Sequence, residues 1–93
     1  MRIVIVCEKR EVERVVISLE CEGYHIPQQP VPLWVRTDGD RIPYCVIGER
    51  PGNGWDASRE FNALYCAGWF TTYSPVRSCR IQDDVNGYAQ WPA

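Results

Sequence analysis

The stretch Glu11-Val12-Glu13-Arg14-Val15-Val16-Ile17-Ser18-Leu19-Glu20-Cys21-Glu22-Gly23 carries two periodicities, and the choice between them sets the fold. Read as a helix, it aligns Val12, Val15, Val16 and Leu19 on one apolar stripe at i, i+3, i+4 and i+7 and leaves Ile17 in solvent. Read as a strand, it puts Val15, Ile17, Leu19 and Cys21 on one face and Ser18, Glu20 and Glu22 on the other, with Val16 stranded. Gly23 favours the helix, because it stands where a helix closes on a left-handed residue.

Upstream, Ile3-Val4-Ile5-Val6-Cys7 is an unbroken, mostly β-branched run, the pattern of a central strand buried on both faces. The charged Glu8-Lys9-Arg10-Glu11 ends it. Downstream, Ile26-Pro27-Gln28-Gln29-Pro30-Val31-Pro32 reads as an extended connector poor in N–H donors. Residues 33–47 read as a hairpin turning at Asp38-Gly39. Its arms begin with Trp34-Val35-Arg36-Thr37 and Asp40-Arg41-Ile42. On the second arm Ile42, Tyr44 and Val46 share a face, and Arg41, Pro43 and Cys45 the other. Pro43 belongs at an edge or at the strand's first residues, because it has no N–H to donate.

Gly48-Glu49-Arg50-Pro51-Gly52-Asn53-Gly54 reads as a loop. A second helix is expected over 57–67, capped by Asp56, with Ala57, Phe61, Leu64, Tyr65 and Gly68 as its stripe. Residues 76–82 alternate, setting Val76, Ser78 and Arg80 against Arg77, Cys79 and Ile81. Asn86-Gly87 is a two-residue turn signal joining 81–85 to 88–91.

The resulting order is strand, helix, strand, strand, helix, strand and a final strand. It predicts an α+β domain: a small antiparallel sheet with two helices on one face, in ferredoxin-like βαββαβ order plus a C-terminal hairpin strand. The alternative, with 11–22 as a strand, is an antiparallel sheet with a single helix. Ninety-three residues suit one domain, 1–93.

A net charge of −2 and a pI of about 5.3 argue against broad electrostatic binding to nucleic acid or to an anionic membrane. The basic residues are nine arginines and one lysine, Lys9, and arginine favours interfaces. Cys7, Cys21, Cys45, Cys66 and Cys79 form no CxxC pair and are odd in number, so free thiols and a reducing cytoplasm are expected. The apolar run Ile3 to Cys7 is too short for a signal-peptide core or a membrane span.

Candidate chemistry is sparse. Gly48, Gly52 and Gly54, with Arg50 and Arg59 nearby, lead into the second helix as phosphate loops do. No Lys-Ser/Thr follows, and Asp56 opposes an anion, so a capped turn is expected. His25, the single histidine, has no evident orienting partner for a cysteine nucleophile. Asp83-Asp84 and Asp38 with Asp40 lie at turns, where Asp serves the backbone. No catalytic residue, metal or cofactor is therefore expected.

The informative excess is aromatic: Trp34, Trp55, Trp69 and Trp91, with Tyr24, Tyr44, Tyr65, Tyr73 and Tyr88. Trp, Tyr and Arg are the residues that carry interface energy. The expected function is a non-enzymatic protein-binding module, with Trp34, Arg36, Arg77, Arg80, Tyr88 and Trp91 as partner-binding residues. One of Tyr88 and Trp91 should be exposed, because they point to opposite sides of a strand. Small inhibitors that viruses and mobile elements direct against host complexes, anti-CRISPR proteins among them, share this size, mild acidity and lack of motifs. The alternative is a module contacting single-stranded RNA through the same aromatics with Arg36, Arg41, Arg77 and Arg80. A third reading is a small enzyme with a Cys/His site.

Overall fold

The computed structural model describes residues 1–33, 43–51, 76–83 and 87–92. In chain order these form β1 (Arg2–Glu8), a 3₁₀ turn (Lys9–Glu11), α1 (Val12–Cys21), β2 (Val31–Pro32), β3 (Pro43–Glu49), β4 (Ser78–Asp83) and β5 (Gly87–Trp91). The strands make one antiparallel sheet in the order β2-β3-β1-β4-β5. One α-helix against an antiparallel sheet is what the described residues show. The helix expected over 57–67 and the Asp38-Gly39 turn lie outside them.

The segment with two periodicities is helical. Val15 and Leu19 are buried, Val12 and Val16 half-buried, and Ile17 is 54% exposed. Gly23 closes the helix at φ +89°. Its N–H donates to Glu20 O (3.1 Å), while the Tyr24 N–H reaches back to Leu19 O (3.0 Å). These two bonds are the Schellman pattern, and the apolar pair that accompanies it is Leu19 with Tyr24, both buried. Arg50 completes this end. Its Nη1 donates to Glu22 O (3.1 Å), and its guanidinium lies 4.7 Å from the Tyr24 ring centroid. A cation at a helix C-terminus also complements the helix dipole.

The core lies between α1 and one face of the sheet. Ile3, Ile5 and Cys7 of β1, Val46 of β3, and Cys79 and Ile81 of β4 all point to it, as the strand period of two requires. Gly48 continues this face on β3, opposite Ile3. A Cβ there would lie 3.1 Å from Ile3 Cγ2, 3.2 Å from Leu19 Cδ1 and 3.2 Å from Tyr24 Cβ. The absence of a side chain at Gly48 lets helix, cap and sheet meet.

Four expectations change. Val31-Pro32 is an edge strand, bonded to β3 through Val31 opposite Cys45 and Pro32 opposite Tyr44, rather than plain connector. An edge position accommodates proline, whose missing N–H costs no ladder bond when it faces outward. Gly48 and Glu49 belong to β3, so the loop begins only at Arg50. β4 starts at Ser78, and Val76 is buried out of phase with the alternation. The β4–β5 register pairs Asp83 with Gly87 and Gln82 with Tyr88, which leaves residues 84–86 as the connection in place of a two-residue turn at Asn86-Gly87. Pro43 is the first residue of β3, an internal strand, and its carbonyl accepts from the Leu33 N–H (2.9 Å).

Candidate functional site

The face of the sheet opposite α1 is built from the other half of each strand's alternation. Residues paired across neighbouring strands share a face, so the register defines rows. One row runs Val31, Cys45, Val6, Ser78. The next runs Ile47, Val4, Arg80, Gln90, and the third Glu49, Arg2, Gln82, Tyr88. Val4, Val6, Cys45 and Ile47 are half-buried, while Val31, Arg2, Arg80, Gln90 and Tyr88 are exposed. The face is aliphatic over β2, β3 and β1 and becomes polar and aromatic over β4 and β5.

Tyr88 and Trp91 divide as their strand positions require. Tyr88 is 67% exposed on this face, whereas Trp91 is half-buried and packs against the core on the other side. Arg80 sits one row from Tyr88 on the adjacent strand. Arg77 is exposed but precedes β4, and its position in the alternation aligns with Cys79 and Ile81 rather than with Arg80. Of the expected partner-binding set, then, Arg80 and Tyr88 share a surface, and Trp91 and Arg77 do not join it. Trp34 and Arg36 lie outside the described residues, as does Arg41. Val4, Val6, Cys45 and Ile47 extend the surface without having been singled out. The uniform run Ile3 to Cys7 hides its own alternation, and only the register separates its two faces.

Electrostatics distinguish the ends of this face. Glu8 is engaged by Arg10 (2.8 Å), and Glu49 stands 3.7 Å from His25 Nε2. Arg80 has no acidic partner among the described residues. Burial pushes the Cys45 thiol up, and the positive charge of Arg80 pulls it part of the way down, so the guanidinium acts across the face as far as β3.

His25 and Glu49 exchange backbone hydrogen bonds (2.8 and 2.9 Å), which ties the segment after α1 to β3. Beside them an open cleft of ≈ 430 Å³ is lined by Arg2, His25, Glu49, Arg50 and Gln82 among others. Arg50 has its guanidinium directed to Glu22 O and Tyr24, away from the anion-binding role considered for the glycine segment; Gly52, Gly54 and Arg59 lie outside the described residues. Cys7, Cys21, Cys45 and Cys79 are free thiols, and Cys66 lies outside the described residues. Burial pushes Cys7 up to about 11 and Cys79 up to about 12, which keeps both protonated and poorly nucleophilic at neutral pH. No group of three or more metal-ligating side chains occurs among the described residues, and no helix among them is long and apolar enough to cross a membrane. No protein family, no curated protein and no solved structure matches the chain.

Proposed function

We propose that the chain is a non-enzymatic protein-binding module whose docking surface is the sheet face opposite α1. The observation that carries the reading is Tyr88: a tyrosine 67% exposed on β5, one row from an arginine with no acidic partner among the described residues, on the face whose other strands carry the aliphatic floor. A rigid ring and a guanidinium flanking apolar side chains are the elements of an interface hot spot. A small domain that works by covering a surface of a larger host complex, as inhibitors encoded by viruses and mobile elements do, is the form of this function that we favour.

The finer fold expectation supports an open face. The order β2-β3-β1-β4 with every neighbour antiparallel is that of the split βαβ sheet. Crossovers between parallel strands are right-handed. The connection from β1 to β2 and that from β3 to β4 run in opposite directions along opposed strands, so one hand puts both on one face. In a ferredoxin-like arrangement the second helix expected over 57–67 would lie beside α1 and leave the opposite face for a partner.

The test is affinity capture from a candidate host, with and without nuclease, comparing the native chain with Tyr88→Ala. The expected result is a protein captured by the native chain, resistant to nuclease, and lost from Tyr88→Ala at unchanged melting temperature. Equal capture by Tyr88→Ala refutes the assignment of the face, and dissolution by nuclease moves the function to RNA.

A further inference from the structure

We propose that the segment recognised on this face is an extended protein stretch carrying a carboxylate for Arg80, flanked within a few residues by aliphatic or aromatic side chains. This inference rests on the reading of the face as the docking surface. Glu13 and Glu20 of α1 and its cap residue Glu22 are exposed, and Arg14 is engaged with Glu11 (3.2 Å). On the opposite face the two acids of β1 and β3 already have cationic neighbours in Arg10 and His25, and Arg2 and Arg80 are exposed without an acidic partner among the described residues; of the two, Arg80 is the one whose row continues into the aliphatic floor. A partner that covers this face desolvates the guanidinium. Without a carboxylate opposite, the buried charge costs more than the contact returns; with one, the fork of the guanidinium fixes orientation and register.

The neighbours of Arg80 specify the rest of the ligand. Its row continues through Val4 to Ile47, and the next row offers Val6, Cys45 and Val31. Strands lie about 4.8 Å apart, so a chain crossing them meets the guanidinium and two aliphatic side chains within roughly 10 Å. Such a floor has no use for a phosphate backbone but fits Leu, Ile, Val or Phe. Tyr88 supplies a second edge that loses little entropy on binding. A protein segment is favoured over RNA for these reasons, and also because the chain is acidic overall.

The experiment selects random displayed peptides on the immobilised full chain, then titrates recovered peptides and oligouridine separately into the ¹⁵N-labelled chain. Recovered sequences should be enriched in Asp or Glu next to apolar residues, and should shift the amide signals of Val4, Val6, Arg80 and Tyr88 while leaving those of Glu13 and Glu20 in place. Arg80→Gln should weaken binding at least about tenfold. Arg80→Glu should turn the selection toward Lys- and Arg-containing peptides, a gain that misfolding cannot produce. Peptides that shift the same signals but lack acidic residues, and that bind Arg80→Gln as well as the native chain, overturn the carboxylate requirement and leave the docking face standing. Peptides that shift only α1 signals overturn both. Oligouridine shifting Arg80 and Tyr88, with no acidic peptide recovered, assigns the face to RNA and overturns both as well.

Discussion

Adding one methyl group at Gly48 tests how the helix, its cap and the sheet are joined. An alanine Cβ would approach Ile3 Cγ2 at 3.1 Å, Leu19 Cδ1 at 3.2 Å and Tyr24 Cβ at 3.2 Å, each below ordinary van der Waals contact. Ile3 and Leu19 are fully buried and Tyr24 is 3% exposed, so none can swing into solvent to make room. Overpacking of this kind costs about 1–3 kcal/mol. Against it, alanine reduces the freedom of the unfolded chain, a gain of about 0.4–1 kcal/mol. The net expectation for Gly48→Ala is a loss of about 1–2 kcal/mol, or roughly 4–15 °C in melting temperature for a domain of this size. Urea unfolding followed by circular dichroism and tryptophan fluorescence measures it, with an unchanged m-value as the condition for reading the midpoint as stability. Leu19→Ala alone should cost about 2–5 kcal/mol through the cavity it leaves. In the double variant the new methyl occupies part of that cavity, so the combined loss should fall short of the sum by at least about 0.5 kcal/mol. A Gly48→Ala chain as stable as the native one, or strict additivity in the double variant, refutes the three-way contact.

Gly23→Ala should destabilise by about 1 kcal/mol for a different reason: φ is +89°, and the nearest side-chain atom is Arg50 Cδ at a comfortable 3.8 Å, so the loss is conformational and Gly23→Asn should recover part of it. Arg50→Met should lower stability by about 1 kcal/mol through the lost bond to Glu22 O and the lost stacking on Tyr24, and the difference should shrink but persist in high salt, since the ring contact is short-ranged. Cys7 and Cys79 hold their protons in the folded chain up to about 11 and about 12, against an ordinary 9.0, so their contribution is complete below about pH 9 and is lost as pH rises beyond it; the urea midpoint should fall with alkalinity, and Cys79→Ala should flatten that fall, an unchanged slope counting against the buried thiol as its cause. Leu64→Ala should cost about 2–5 kcal/mol and Arg59→Ala less than about 0.5 kcal/mol if residues 57–67 form the second helix with the expected stripe, and equal losses would refute that stripe.

The helix was legible because two local signals agreed. The stripe Val12, Val15, Val16 and Leu19 and the closing Gly23 are both read within a few residues, and the exposure of Ile17 is the cost that the helical reading implied. The split between Tyr88 and Trp91 was legible because a strand's period leaves no alternative. What stayed hidden depends on partners distant in the chain. Val31-Pro32 becomes a strand only because Cys45 and Tyr44 lie beside it. Arg50 acquires its role from a helix end 28 residues away. Gly48, which reads in the sequence as the start of a loop, is required by the close approach of Ile3, Leu19 and Tyr24. The floor of the candidate site was obscured because β-branched residues occupy both faces of β1, and hydropathy alone does not tell Val4 and Val6 from Ile3 and Ile5.

The position of β1 also orders events during synthesis. Its two neighbours are β3, reached at residue 49, and β4, where Arg2 finds its partner in Gln82. At about 5–20 residues per second, roughly two to seven seconds separate the making of these two partners. Through that interval one side of Ile3-Val4-Ile5-Val6 presents unpaired N–H and C=O groups along an apolar strand, the kind of template on which chains aggregate. The nascent chain therefore passes through a stage in which its most hydrophobic strand is half paired, and the arrival of β4, distant in the chain, rather than the formation of α1, sets when that exposure ends.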